Sequence, residues 1–190
     1  MAFLIFSNLS SKPTETVQEV SAVNGTGIVL PSHFTERKIT DPSTARDAIN
    51  DVADTLGIVS VEDELGTADC STVLGDTYYS FPQVYRGIPV YGRKVTVSAD
   101  ADSEAALLTS GFYPIENLSV EAKITQNDAE KIVAGLYPGE ADIYVNNLVI
   151  FSLDKTNPEL AWKISVHQNN SWESVLFISC RWKGSKDLFE

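Results

Sequence analysis

The sequence predicts an α+β protein of two small domains, each a helix packed on an antiparallel sheet. Three observations point there. A capped, one-faced helix spans Asp41 to Gly57, a stretch of period-2 alternation runs from Tyr78 to Val97, and the order helix-then-strands recurs after residue 113.

Asp41 is a good N-cap, Pro42 suits the first helical position, and Gly57 supplies the stop. Between them Ala45, Ala48, Ile49, Val52, Ala53 and Leu56 recur at the spacing of one buried face, leaving Arg46, Asp47, Asn50, Asp51 and Asp54 outside. So thinly apolar a helix needs a sheet to lie on. Ile58 to Leu65 is expected to be its first strand, and Gly66 to Gly75 a loop carrying Cys70. In the next stretch Tyr79, Phe81 and Tyr85 alternate with smaller or polar residues, and Val95 and Val97 alternate with Lys94, Thr96 and Ser98. Gly87, Pro89 and Gly92 interrupt the pattern, so a strand, a tight corner and a returning strand are expected. Ala105 to Tyr113 closes this half. Asp100 to Glu104 has alternate carboxylates, but it lacks the Gly and the distal Glu of a calcium loop and reads as a solvated turn.

After a connector at Tyr113 to Asn117, Thr125 and Asp128 form a capping box, and Ala129, Ile132, Val133 and Leu136 a buried face ending at Pro138-Gly139. Strands follow at Ala141 to Tyr144 and Leu148 to Leu153 around Asn146-Asn147. Others follow at Leu160 to Val166 and Val175 to Cys180, with turns at Asp154 to Pro158, His167 to Ser171 and Lys183-Gly184. The expected units are an extended N-terminal arm (1–36) with one or two weak strands and no core of its own, a first domain (37–114) and a second (115–190).

The chain has 190 residues, with 14 Lys and Arg against 26 Asp and Glu, a net charge of −12. So acidic a chain argues against phosphate-backbone binding, hence no nucleic acid, and against anionic membranes. No apolar run approaches the ~20 residues of a membrane helix. Met1 to Phe6 is apolar but lacks a basic flank and is shorter than a signal-peptide core. Cys70 and Cys180 make no CxxC, and they can form a disulfide only if the fold brings their Cα atoms within about 7 Å.

Catalytic signatures are missing. The two histidines, His33 and His167, begin no HExxH, so no metal site is expected and both read as surface residues. Cys70 has no neighbour to activate it, and neither a GxSxG elbow nor a phosphate-binding loop is present, so no cofactor is expected. Trp162 reads as core, while Trp172 and Trp182 are open. Asn8, Asn24, Asn117 and Asn169 fit the short N-glycosylation pattern, a weak signal.

The run Phe81-Pro82-Gln83-Val84-Tyr85-Arg86-Gly87-Ile88-Pro89-Val90-Tyr91-Gly92 resembles the signature of the FTP domain, the fungalysin/thermolysin-type propeptide. More weakly, Leu148-Val149-Ile150-Phe151 followed by Leu160-Ala161-Trp162-Lys163-Ile164 resembles the PepSY domain. Together these resemblances imply a cystatin-like build and a pro-region without enzymatic activity of its own. Such a pro-region is exported within a precursor, and it assists the folding of a thermolysin-like metallopeptidase catalytic domain, its partner, and inhibits it. Arg86, Gly87, Ile88, Pro89, Val90, Tyr91 and Gly92 are the candidate peptidase-facing corner, set against the plainer reading that Gly and Pro there serve backbone geometry. A free-standing secreted inhibitor, or a module that binds a ligand or cell-wall component, is the alternative. An enzyme with an unrecognised carboxylate site is a third reading.

Overall fold

The computed structural model describes residues 18–22, 25–137, 142–152, 157–167 and 174–180. In chain order they form β1 (Gln18–Ala22), β2 (Gly25–Leu30), α1 (Pro42–Asp51), α2 (Ala53–Leu56), α3 (Val61–Glu64), β3 (Asp69–Val73), β4 (Asp76–Tyr85), β5 (Ile88–Ala99), β6 (Ala105–Ser110), α4 (Gln126–Leu136), β7 (Asp142–Phe151), β8 (Glu159–His167) and β9 (Ser174–Ser179). The protein is thus mixed α and β, with many strands and few helices.

β5 joins everything. Along one edge it pairs with β4, which carries β3 beyond it. Its other edge is divided: Val95–Ala99 pair with β6, which leads on to β2 and β1, and Val90 bridges Ile150 of β7, which leads on to β8 and β9. That bridge is the one parallel pairing among the described strands. Where two separate helix-on-sheet units were expected, the halves share one nine-stranded sheet.

Both longer helices lie on the same side of it. Ala45, Ala48 and Ile49 of α1 are fully buried in a cluster with Phe81, Val95 and Val97. Ala129 and Val133 of α4 are buried with Ile164, Val166 and Ile178. Paired residues project to the same face, and Val90 and Ile150, buried with Ile115 and Leu118, lie on the faces that the two helices cover. The opposite face carries no helix among the described residues.

The predicted caps form. Asp41 Oδ1 accepts from the Thr44 N–H at 2.8 Å, Thr125 Oγ1 accepts from the Asp128 N–H at 3.2 Å, and Gly57 adopts a left-handed φ of 72°. The first helix breaks at Val52, with φ −121° and ψ 14°, before a last turn in α2.

Several local expectations fail for identifiable reasons. Ile58 to Leu65 is no strand but holds α3. Ser60 Oγ accepts the Asp63 N–H, Glu64 Oε2 accepts the N–H groups of Val59 and Ser60 at 2.7 and 2.9 Å, and three acids occupy the helix start, where its dipole favours them. The loop at Gly66 to Gly75 contains edge strand β3, turned by Leu74-Gly75 at φ 55° and 100°, the signs of a two-residue hairpin. The two strands expected around Asn146-Asn147 are one continuous strand, β7, with a bulge at that pair.

The stretch expected as an extended arm supplies β1 and β2, and Leu30 is buried in the first core together with Phe34 and Ile39. Thr35 Oγ1 and Arg37 Nε both donate to Asp51 Oδ2 at 2.7 Å, fastening this segment to α1. The expected turns at Asp154 to Pro158, His167 to Ser171 and Lys183-Gly184 fall wholly or largely outside the described residues.

Arg46, expected on the outer face of α1, is instead drawn in. Its guanidinium donates to the carbonyls of Val61, Leu65 and Gly66 at 2.8, 3.2 and 2.6 Å and lies 5.0 Å from the Phe81 ring centroid. Arg46→Met is therefore expected to lower stability by about 2–3 kcal/mol, from hydrogen bonds to a charged group. Arg46→Lys, lacking the planar fork, should restore less than half; urea unfolding measures both.

The Arg37 hydrogen bond holds the Asp51 carboxyl below its ordinary value of 3.8. Its contribution is complete above that value and is lost as pH falls through the lowered pKa. Asp51→Asn should thus be less stable than the native chain at neutral pH, and the gap should close in acid, as read by urea midpoints across pH.

Candidate functional site

The Arg86-Gly87 turn is tighter than the corner expected over Arg86 to Gly92. Both residues have positive φ, 49° and 79°, the two-residue geometry that matches strand twist. Ile88 to Gly92 already belong to β5. Along β4 the side chains of Tyr79, Phe81 and Gln83 turn inward and are buried. Gln83, only 2% exposed, would cost free energy if unpaired, but its Nε2 donates to the Tyr113 carbonyl at 2.6 Å and its Oε1 accepts the Tyr113 N–H at 3.0 Å. The signature glutamine thereby clamps the connector to the hairpin.

Of the candidate corner residues, Val90 is 6% exposed and Ile88 half-buried, both packed in the cluster that joins the two halves. Arg86, Gly87, Pro89, Tyr91 and Gly92 are exposed. The corner is thus a structural joint on one side and a surface on the other.

On that outer side, opposite the helices, lies an open groove of about 560 Å³, lined among others by Asp69, Pro82, Arg93, Lys94, Asn147 and Lys163. Tyr91, 42% exposed, is among its lining residues. Its ring meets Phe177 edge-on at 4.7 Å and Phe151 at 6.2 Å, while Phe151 and Phe177 stack at 3.9 Å. Lys163 Nζ lies 5.4 Å from the Tyr91 ring centroid. Ion pairs among the described residues engage Arg37, Lys38 and Arg46, none of them in the groove. Three cations thus face one carboxylate, Asp69, in a chain of net charge −12. Such a surface can bind an anionic, partly apolar group.

Sequence reasoning missed Arg93, Lys94, Asn147 and Lys163 as a set, since the β5–β7 bridge assembles them. The signal available was only that Lys94 and Lys163 occupy outward positions of alternating strands.

The other candidates stay apart. Cys70 is exposed on β3, whereas Cys180 is buried beside β9, and both thiols are free, so the disulfide considered from sequence is not formed. Burial pushes the Cys180 thiol up to about 11. His33 and His167 are exposed. Among the described residues no three His, Cys, Asp or Glu gather as a metal site, and no helix is long and apolar enough to cross a membrane. Trp162 packs on the second core and donates Nε1–H to the Ile124 carbonyl at 3.1 Å. Asp100 Oδ1 accepts the N–H groups of Asp102 and Glu104, as in a carboxylate-closed turn. Asn117 is exposed at φ 56°. Trp172, Trp182, Asn8, Asn24 and Asn169 lie outside the described residues.

Residues 69–112 match the family model of the Fungalysin/Thermolysin Propeptide Motif, so β3 to β6 carry a propeptide motif of thermolysin- and fungalysin-like peptidases. No curated protein matches the sequence. Among solved structures, the chain is similar to the Bacillus megaterium YpeB C-terminal domain, with 14% identity and a TM-score of 0.40, covering 89% of this chain and 86% of that one.

Replacing Gln83 tests the clamp. Gln83→Leu leaves the Tyr113 N–H and carbonyl unpaired and should cost about 2 kcal/mol or more. Gln83→Glu places a carboxylate against a carbonyl, which raises the folded-state pKa of the new carboxyl. Its stability deficit should therefore shrink as pH falls and the carboxyl takes up a proton to donate; thermal unfolding across pH reads this.

Proposed function

We propose that this chain is the pro-region of a thermolysin-like zinc metallopeptidase. It acts as intramolecular chaperone and inhibitor of a catalytic domain lying outside these 190 residues, and it is exported with that domain as a precursor. The observation that carries the reading is the propeptide motif over residues 69–112. Its signature residues are also those that join the two halves: Gln83 clamps the connector, and Ile88 and Val90 fill the cluster against Ile150. In this reading the second half, α4 with β7 to β9, is the PepSY-like domain and the chain itself is not an enzyme.

A peptidase domain rich in non-local contacts folds slowly, and a partner that binds its near-native state stabilises that state by mass action. The same contact, kept after folding, restrains the enzyme until the pro-region is cut. A free-standing binding module is the second reading, favoured by the open groove across the joint.

Added in trans, the purified chain is expected to inhibit a thermolysin-like peptidase and to be clipped slowly by it, with intact mass reporting the cleavage. It should also raise the yield of active enzyme refolded from denaturant. An interface of ~800 Å² per side should register by micromolar concentration, so absence of inhibition well above that removes the pro-region reading.

A further inference from the structure

We propose that the groove lined by Tyr91 seats an extended acidic segment of the peptidase partner, gripped by Arg93, Lys94 and Lys163. This inference rests on the pro-region reading and adds to it the surface and the chemistry of the contact.

Three observations meet there. The first is charge. The chain as a whole is acidic and repels an acidic segment, but here three cations stand against Asp69 with no ion pair to them among the described residues. This face therefore offers an acidic segment a local attraction that the net charge of −12 opposes.

The second is the platform. Tyr91, Phe151 and Phe177 form a connected aromatic cluster, with Tyr91 partly exposed, and Pro82 and Pro89 line the same groove. Rigid aromatic and proline surfaces bind apolar side chains with little loss of conformational freedom. At about 560 Å³ and open along the sheet, the groove suits a few residues of extended chain.

The third is position. The lining residues come from β3, β4, β5, β7 and β8, so the groove exists only when the Val90–Ile150 bridge has joined the halves. A partner seated there clamps that joint. Lys163, held over the Tyr91 ring, belongs to the second half while Arg93 and Lys94 belong to the first, so one acidic segment engages both.

The test compares the native chain with Arg93→Glu/Lys94→Glu/Lys163→Glu and with Arg93→Gln/Lys94→Gln/Lys163→Gln, each checked for cooperative unfolding. Inhibition of a purified thermolysin-like peptidase is measured across salt concentration. Anisotropy is measured with a labelled Asp/Glu-rich peptide bearing a central Phe, and with its Asn/Gln counterpart. The expected result is at least about a tenfold loss of inhibition and of acidic-peptide binding in the Glu variant, a smaller loss in the Gln variant, and weak binding of the neutral peptide throughout. Undiminished inhibition by the folded Glu variant overturns the groove assignment and leaves the pro-region reading standing. A native chain that binds the acidic peptide but fails to inhibit overturns the peptidase as occupant together with that reading. A sulfated polysaccharide that binds as tightly as the peptide, and is lost with the same charges, overturns the peptide assignment in favour of a polyanion.

Discussion

Everything in this fold depends on β5 having two edges and giving one of them to two different partners. A strand has a fixed row of donors and acceptors on each side, and β5 is long enough to spend five residues on β6 and still offer Val90 to β7. The halves therefore share a hydrogen-bonded backbone as well as a few contacts. Since paired residues face the same way, that single bridge also decides that both longer helices lie on one side and that the other side stays open.

Polar side chains that turn inward within the first half, Arg46 partly buried and Gln83 fully, reinforce the arrangement. Arg46 donates to three carbonyls around α3, of which that of Val61 also accepts the Leu65 N–H, and Gln83 pairs both backbone groups of Tyr113. Each binds an irregular segment to a regular element, where a buried aliphatic side chain would leave backbone groups without partners. On the opposite face the polar residues have no such task, and the cations there remain available.

How much of this was legible in the sequence follows from how local each feature is. Both capped helices could be read because the Asp41-Pro42 and Thr125/Asp128 signals act within one turn, and β4 and β5 because their alternation is long. The helix α3 was misread because Ile58, Val61 and Leu65, all buried, fall at helical spacing over too short a span to outweigh the β-branched character of Ile58, Val59 and Val61. The Asn146-Asn147 pair has turn composition but sits in a bulge held by pairing on β8. Arg46 looked like a surface residue because its partners lie on a segment whose helix had not been recognised. The groove was the least legible feature, since Lys94 and Lys163 become neighbours through one non-local bridge that no local pattern announces.

That bridge also orders events in time. By Phe112 a chain emerging from its N-terminus holds every strand that encloses the first core, and α1 as well. Ile150 comes much later. Until it does, the Val90 edge of β5 stands unpaired, with Ile88 and Tyr85 beside it and the cluster only half filled. An open strand edge next to apolar side chains invites pairing with another chain. The first half is thus exposed to misassociation for as long as synthesis takes to reach β7, and the vulnerable patch lies within residues 69–112, the stretch that matches the propeptide motif.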